Sequence, residues 1–554
     1  MRYLCFHGHF YQPPRENPWL DTIEVQDSAA PYHDWNARIT AECYWPNAAA
    51  HRLGADSRIT ATVNNYASMS FNFGPTLTAW LARNEPELLG QLVEADRLSC
   101  ERHSGHGNAM AQAYGHAILP LATPRDKLTQ VSWGIRDFVY RFGRVPTGMW
   151  LPETAVDTPT LEALAAHNLA FTILAPHQAK RARQLGKEAW TEVNEETLNT
   201  RRPYLCHLPS GKHIVLFFYD ARVARGVAFE HLLDSGEHLV ERLMAAFQSD
   251  TDEPQLVHIA TDGETYGHHH RFGEMALAFA VHEIEHRGLA RVTNYGEYLA
   301  LHPPQWEVEI VESTSWSCAH GVERWRADCG CRTGGLPGWT QQWRAPLRAA
   351  LDWLRAEVDI FFERQARDLL RDPWAARDAY IDVILDPSPQ RLDEFCRHHA
   401  GRVLGPAERQ SMLKLLELQR HRLLMFTSCG WFFDELSGLE GTQILRYAAR
   451  AIELAKDCGL SLEAEFVERL RRAPSNLPEV GDGGQLYLRT VRPTRADFPR
   501  VAANFAMSQI LEPTLAHEAP PAFAARQSDY QEERFGATAL GVGRVQVTSR
   551  FTQE

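Results

Sequence analysis

Val257-His-Ile-Ala-Thr-Asp-Gly-Glu264 reads as a short buried strand that runs out into two carboxylates. Strand alternation puts Asp262 and Glu264 on one face, and Gly263 between them permits a close approach by backbone or ligand. Similar runs recur at Tyr3 to Phe6, Ile59 to Val63, Thr147 to Leu151, Ala170 to Leu174, Ile214 to Phe218 and Val308 to Val311. Helix-like stretches lie between most of them, at Thr158 to Ala166, Phe229 to Phe247 and Glu274 to Glu285. Buried runs alternating with amphipathic helices predict an α/β chain with parallel strands. Seven such strands predict a distorted barrel, complete or incomplete, with an open doubly wound sheet as the competitor. Either fold gathers functional residues at the C-terminal ends of its strands. His7 and His9, Asn64, Glu153, Asp220, Asp262 with Glu264, and Ser315 with Trp316 all stand at such ends.

Beyond residue 340 the period changes. Leu347, Leu351, Leu354, Val358 and Phe362 form one helical stripe, and Pro406 to Met425 and Leu439 to Ala455 read alike. The expected organisation is a barrel over 1–339, a helical domain contributing to the cleft over 340–475, and a small mixed or β-rich C-terminal region over 476–554. Strands are expected there at Leu486 to Val491 and Val542 to Thr548, with a helix around Ala502 to Leu511.

The 554 residues carry a formal charge of -13, which disfavours a nucleic-acid backbone as partner. No apolar leader with a cleavage site and no long uncharged apolar run occurs, so neither secretion nor a membrane span is expected. Ten cysteines are too dilute for a disulfide framework and fit a reducing, cytoplasmic setting. Cys329-Gly-Cys331 is too tight for a zinc knuckle, and with Cys318 it reads as a group of buried thiols. No nucleotide-binding loop is present, and no cofactor is expected.

Glu153 in Gly148-Met-Trp-Leu-Pro-Glu153 and Asp262 are two carboxylates from separate strand ends, as glycosidic cleavage requires. A gap of about 5 Å gives a nucleophile and an acid/base with retention; about 6.5 to 9.5 Å admits a water and inverts. A nucleophilic Glu153 must stay ionised, whereas Asp262 must hold a proton, with Glu264 as a source of like charge. His7, His9, Gln12, His106, Trp150, Asp220, Glu264, His268, Trp316, His320 and Trp431 are the candidate substrate contacts. Asn108, Gln112 and His116 advance by four and are expected on one helix face. His7-Gly-His9 is also a possible metal pair, which keeps a metal-dependent mannosidase or polysaccharide deacetylase as a rival. A non-catalytic glycan-binding protein is the third reading.

The order of these pieces resembles glycoside hydrolase family 57, the α-glucan amylases, branching enzymes and 4-α-glucanotransferases. Its His-x-His-Gln-Pro motif is similar to His7-Gly-His9-Phe-Tyr-Gln12-Pro13, with two residues interposed. Trp150-Leu-Pro-Glu153 resembles the segment holding the family's nucleophile, and Asp262-Gly-Glu-Thr-Tyr-Gly-His268 the one opened by its acid/base. The resemblance implies a distorted (β/α)7 barrel, retention without a catalytic metal, and an α-glucan or other oligosaccharide as partner. It covers the barrel and runs less securely to about residue 460, in a branch with a long C-terminal region.

Overall fold

The computed structural model describes residues 1–54, 56–249, 251–511, 519–536 and 538–554. Two compact units form: Met1–Pro13 with Gln26–Glu323, and Pro14–Val25 with Arg324–Glu554.

In the first unit, seven strands lie side by side in parallel. In chain order they are β1 (Arg2–Phe10), β2 (Ser70–Phe73), β3 (Ala111–Gln112), β4 (Met149–Trp150), β5 (Phe171–Leu174), β6 (His213–Phe218) and β7 (Gln255–Asp262). β1 pairs with β7 along one edge and with β2 along the other. Single parallel bridges, Phe71 with Ala109 and Gly148 with Phe171, carry the row past the β3–β4 pair to β5 and β6. The row is not closed by a ladder: the other edge of β6 pairs antiparallel with Tyr204–His207, and β7 is reached by one bond from the Asp220 N–H, just past β6, to the His258 carbonyl at 2.8 Å. This is the distorted barrel expected from the sequence. Every residue of β1 after Arg2 is buried, and β7 is buried up to Asp262.

Four sequence expectations change in this unit. Ile59–Val63 is a strand, but it pairs antiparallel with Ala50–Leu53, and β2 takes its place in the barrel. The stretch from Phe229 to Phe247 is not one helix: Phe229 ends the helix Ala221–Phe229, His231 turns left-handed at φ 57°, and Ser235 caps a new helix, Gly236–Ala245. Asn108, Gln112 and His116 do not share a helix: Gln112 is in β3 and His116 sits in a turn at φ 52°. Val308 to Val311, expected as the seventh strand, falls on the strand Trp306–Ile310, which pairs instead with Ala179–Gln184 and Tyr204–His207 outside the barrel row.

The second unit is built on the helices Arg344–Ala366, Pro406–Leu424 and Leu439–Asp457. The stripe read from the sequence, Leu347 through Phe362, is buried. Leu486 to Val491 is helical rather than a strand, because the Asp482 carboxylate accepts the Gln485 N–H and nucleates a helix. A long antiparallel hairpin, Phe523–Phe535 with Thr538–Ser549, follows the helix Phe498–Leu511 and confirms the strand at 542–548. Val501, Ala522 and Phe523 form its small core. Residues 512–518 of the expected C-terminal region lie outside the described residues.

Candidate active site

Glu153 and Asp262 both belong to the first unit and stand at the C-terminal ends of β4 and β7. After β4 the chain enters a single tight turn, Pro152–Thr154, in which Glu153 and Thr154 are left-handed at φ 57° and 50°. Left-handed backbone costs a non-glycine residue roughly 1–2 kcal/mol, and more for a β-branched threonine. Surrounding bonds impose it. The Thr154 hydroxyl donates to Gln178 Oε1 at 2.9 Å, Gln178 Nε2 donates to the Thr154 carbonyl at 2.8 Å, and the Trp316 N–H donates to the Glu153 carbonyl at 3.0 Å. The strained turn aims the carboxylate at the Trp316–Ser317 segment. There Trp316 Nε1 at 3.0 Å and Ser317 Oγ at 2.5 Å both donate to Glu153 Oε2. Such donors favour the ionised form of a carboxylate.

Asp262 has the opposite setting. Its side chain is reached by solvent, yet the protein packed around it strips away most of its hydration. That desolvation, joined by the like charges of Glu264 and Glu153, pushes its carboxyl up from 3.8 to about 8. Glu264 does not continue the strand, which ends at Asp262; it lies in the turn Gly263–Thr265. There it is buried, and Glu264 Oε1 accepts the Tyr44 hydroxyl at 2.6 Å and the Tyr11 N–H at 3.0 Å. Burial pushes Glu264 up to about 7 against the lowering effect of Tyr44, Tyr11 and Gln12. Gly263 is required by the Phe10 ring, which a Cβ would meet at 2.3 Å.

Behind the carboxylates lies a histidine network centred on Asn72. Asn72 Nδ2 donates to His9 Nδ1 at 2.9 Å and to Gln112 Oε1 at 2.7 Å, and Asn72 Oδ1 pairs with His7 Nε2 at 3.1 Å. An amide nitrogen only donates, so His9 Nδ1 is the accepting nitrogen and the neutral ring carries its proton on Nε2. That proton points at His116 Nε2, 3.3 Å away. Burial holds His7 and His116 down near 3 and His9 well below its ordinary value, so all three are neutral at neutral pH. Trp150 stacks on His7 and His9 with centroids 4.9 and 5.0 Å apart. Trp316 meets the Trp150 edge at 5.2 Å and is only half-buried.

The structure thus brings Glu153, Asp262, Glu264, His9, Trp150 and Trp316 into one connected group, with Gln12 hydrogen-bonded to Glu264 and His7 in the layer behind. Other candidates have separate settings. Asp220 Oδ1 caps the helix Ala221–Phe229 by accepting the Arg222 and Val223 N–H groups. His268 pairs with Glu42 at 2.5 Å, His106 packs on Gly296, and His320 is exposed. In the second unit Trp431 is buried, with Nε1 donating to the Arg344 carbonyl at 3.4 Å. Tyr44, Asn72 and Ser317 hold the group together without having been singled out from the sequence as contacts, whereas His116 was read there in a polar series with Asn108 and Gln112. Only the Ser-Phe-Asn-Phe run of β2 carried a readable signal, a polar residue inside a short buried strand. No disulfide links any of the ten cysteines.

Glycosyl hydrolase family 57 matches residues 29–311 of the chain, and a domain of unknown function matches residues 339–554. Alpha-amylase 1 of Dictyoglomus thermophilum is 27% identical over 108 residues, which is 19% of this chain and 15% of that protein's length. An exo-type maltose-forming amylase of Pyrococcus sp. ST04 has a similar fold, with TM-score 0.62 at 14% identity over 92% of this chain and 93% of that one. A branching enzyme of Thermococcus kodakaraensis, solved with glucose, gives TM-score 0.52 at 15% identity over 89% of this chain and 95% of that one. Barrel, ordered motifs and a family match over more than half the sequence agree: the chain belongs to glycosyl hydrolase family 57.

Proposed function

We propose that the chain is a retaining α-glucan-active glycoside hydrolase or glucanotransferase, with Glu153 as nucleophile and Asp262 as general acid/base. The observation that carries this reading is the contrast between the two carboxylates. Glu153 receives two donors on one oxygen, whereas Asp262 is pushed up to about 8 among like charges. A nucleophile and an acid require those unlike settings. In the first step Glu153 forms a bond to the anomeric carbon while the Asp262 proton passes to the leaving oxygen. In the second, Asp262 takes the proton of water or of a sugar hydroxyl, which displaces Glu153. Water as acceptor gives hydrolysis, and a glucan hydroxyl gives transfer or branching.

The ring nitrogens of His7 and His9 are all paired with Ser70, Asn72 or His116, which speaks against metal ligation there and suits both rings to a supporting role behind the carboxylates. The half-buried face of Trp316 is suited to stack against a pyranose ring. Incubating the protein with amylose and following products by anomer-resolved NMR and chain-length analysis tests the proposal. Retained α-anomer or new linkages, abolished in Glu153→Gln and Asp262→Asn, are expected. First-formed β-anomer, or full activity in Glu153→Gln, overturns it. The expected cytoplasmic setting belongs to the same reading; among the described residues no helix is long and apolar enough to cross a membrane.

A further inference from the structure

The left-handed His231 that splits the expected helix after Asp220 has a chemical neighbourhood of its own. The ligand atoms of His231, Asp234 and His270 all lie within 4.8 Å of one another. His231 and Asp234 bracket the single turn Leu232–Asp234, whose leucines are buried beneath it, and His231 Nδ1 stands 3.9 Å from Asp234 Oδ2. His270 comes from the other side, on the segment that follows Asp262 and Glu264. Its ring meets the His231 ring edge-on at 5.6 Å. Its backbone is fixed by bonds from the His270 N–H to the Thr265 carbonyl and from the Gly273 N–H to the His270 carbonyl.

A second observation concerns the tautomer. His270 Nε2 is 3.0 Å from the Ala228 carbonyl, which can only accept, so Nε2 carries the proton and donates it. The neutral ring then presents a lone pair on Nδ1. A ring nitrogen tied to a backbone carbonyl while the other faces a cation is the usual outer support of a metal-binding histidine. From these two observations we propose that His231, Asp234 and His270 form a binding site for a borderline divalent cation of the zinc class, with water completing the coordination.

Two imidazoles and a carboxylate are the donor set that such ions take, at about 2.0–2.2 Å each, which places ligand atoms about 3.4 Å apart in a tetrahedron. Closing the cluster from its present spacing is left to His231 and Asp234, whose side chains are 76% and 73% exposed and turn without disturbing the core. A bound ion would tie the segment after β6, which begins at the helix-capping Asp220, to the segment after β7, which begins at Asp262. It would act as a clip between two segments leaving the same barrel end, and no catalytic step passes through it. The inference does not rest on the glucan-active reading.

The test is a competitive Zn²⁺ titration of chelator-stripped full-length protein with a chromophoric indicator, run beside His231→Ala, Asp234→Asn and the double variant His231→Ala/His270→Ala. Ten free thiols could also take up zinc, so the readout is the difference between parent and variants. The double variant is expected to bind one equivalent fewer, and the single variants to hold that equivalent at least tenfold more weakly. The Zn²⁺-dependent rise in Tm should shrink in parallel. His231 is exposed, so His231→Ala keeps the comparison valid if removing His270 disturbs folding. Equal stoichiometry and equal affinity in parent and His231→Ala overturn the site, whatever the outcome with amylose.

Discussion

Ser317 Oγ and Glu153 Oε2 are 2.5 Å apart, and Trp316 Nε1 shares the same oxygen at 3.0 Å. Two donors from adjacent residues therefore fix the rotation of the carboxylate that the left-handed turn at 153–154 projects. A hydrogen bond to a charged partner contributes about 1.5–3 kcal/mol, so Ser317→Ala should lower kcat by about ten- to a hundredfold. Ser317→Thr keeps the hydroxyl and should recover most of the loss. Steady-state kinetics on a soluble maltooligosaccharide separate these outcomes. Equal rates in parent and Ser317→Ala would contradict a positioning role.

After burial itself, the like charge of Glu264 extends the pH range over which Asp262 keeps its proton. Asp262 titrates at about 8 when folded against an ordinary 3.8, so the native state binds more protons than the unfolded chain between those limits. Stability contributed by this group is therefore fully present below about pH 4 and is lost as pH rises through 8. Replacing Glu264 by Gln removes one like charge and lowers the Asp262 value. The alkaline limb of kcat/KM should move to lower pH, and the decline of Tm between pH 5 and 8 should become shallower. An unmoved limb would show that Glu264 does not act through Asp262.

The barrel was legible because strands buried on both faces are written as unbroken apolar runs ending in polar residues, as at Val257 to Asp262. Glu153 and Asp262 could be named for the same reason. The partners of these carboxylates were less legible, because each arrives through pairing distant in sequence. Tyr44 reaches Glu264 across 220 positions and Ser317 reaches Glu153 across 164. Asp220 looked like a site residue and caps a helix, since a carboxylate at a strand end serves either purpose. The strand expected at 486–491 failed because one capping aspartate, Asp482, outweighed a local β preference.

Asn72 should matter for stability as much as for activity. Its amide joins His7, His9 and Gln112, all buried, and fixes which nitrogen of His9 carries the proton. Asn72→Ala leaves several buried polar atoms unpaired, at about 1–3 kcal/mol for each one that finds no water. Tm should fall by several degrees. Asn72→Asp fits the space but accepts where the amide donates, so it should disturb His9 without creating a cavity. Differential scanning calorimetry with ¹⁵N-histidine NMR would read both effects. An unchanged His9 tautomer in Asn72→Asp would refute the assignment.

Gly263 stands between the proposed acid and its neighbouring carboxylate, and its lack of a side chain is a packing requirement. A Cβ there would lie 2.3 Å from Phe10 Cδ1, inside any tolerable contact, and Phe10 is itself fully buried against Phe73 and Tyr66. Gly263→Ala must displace either the ring or the turn that carries Glu264. Overpacking of this kind costs about 1–3 kcal/mol, and a shifted turn would also carry Asp262 out of register with Glu153. Activity should therefore fall further than stability alone accounts for. Phe10→Leu makes room, so the double variant should be more stable than the sum of the two single losses and should regain part of the rate. Strictly additive losses would mean that the alanine is accommodated away from Phe10, and that the glycine is needed for some other reason.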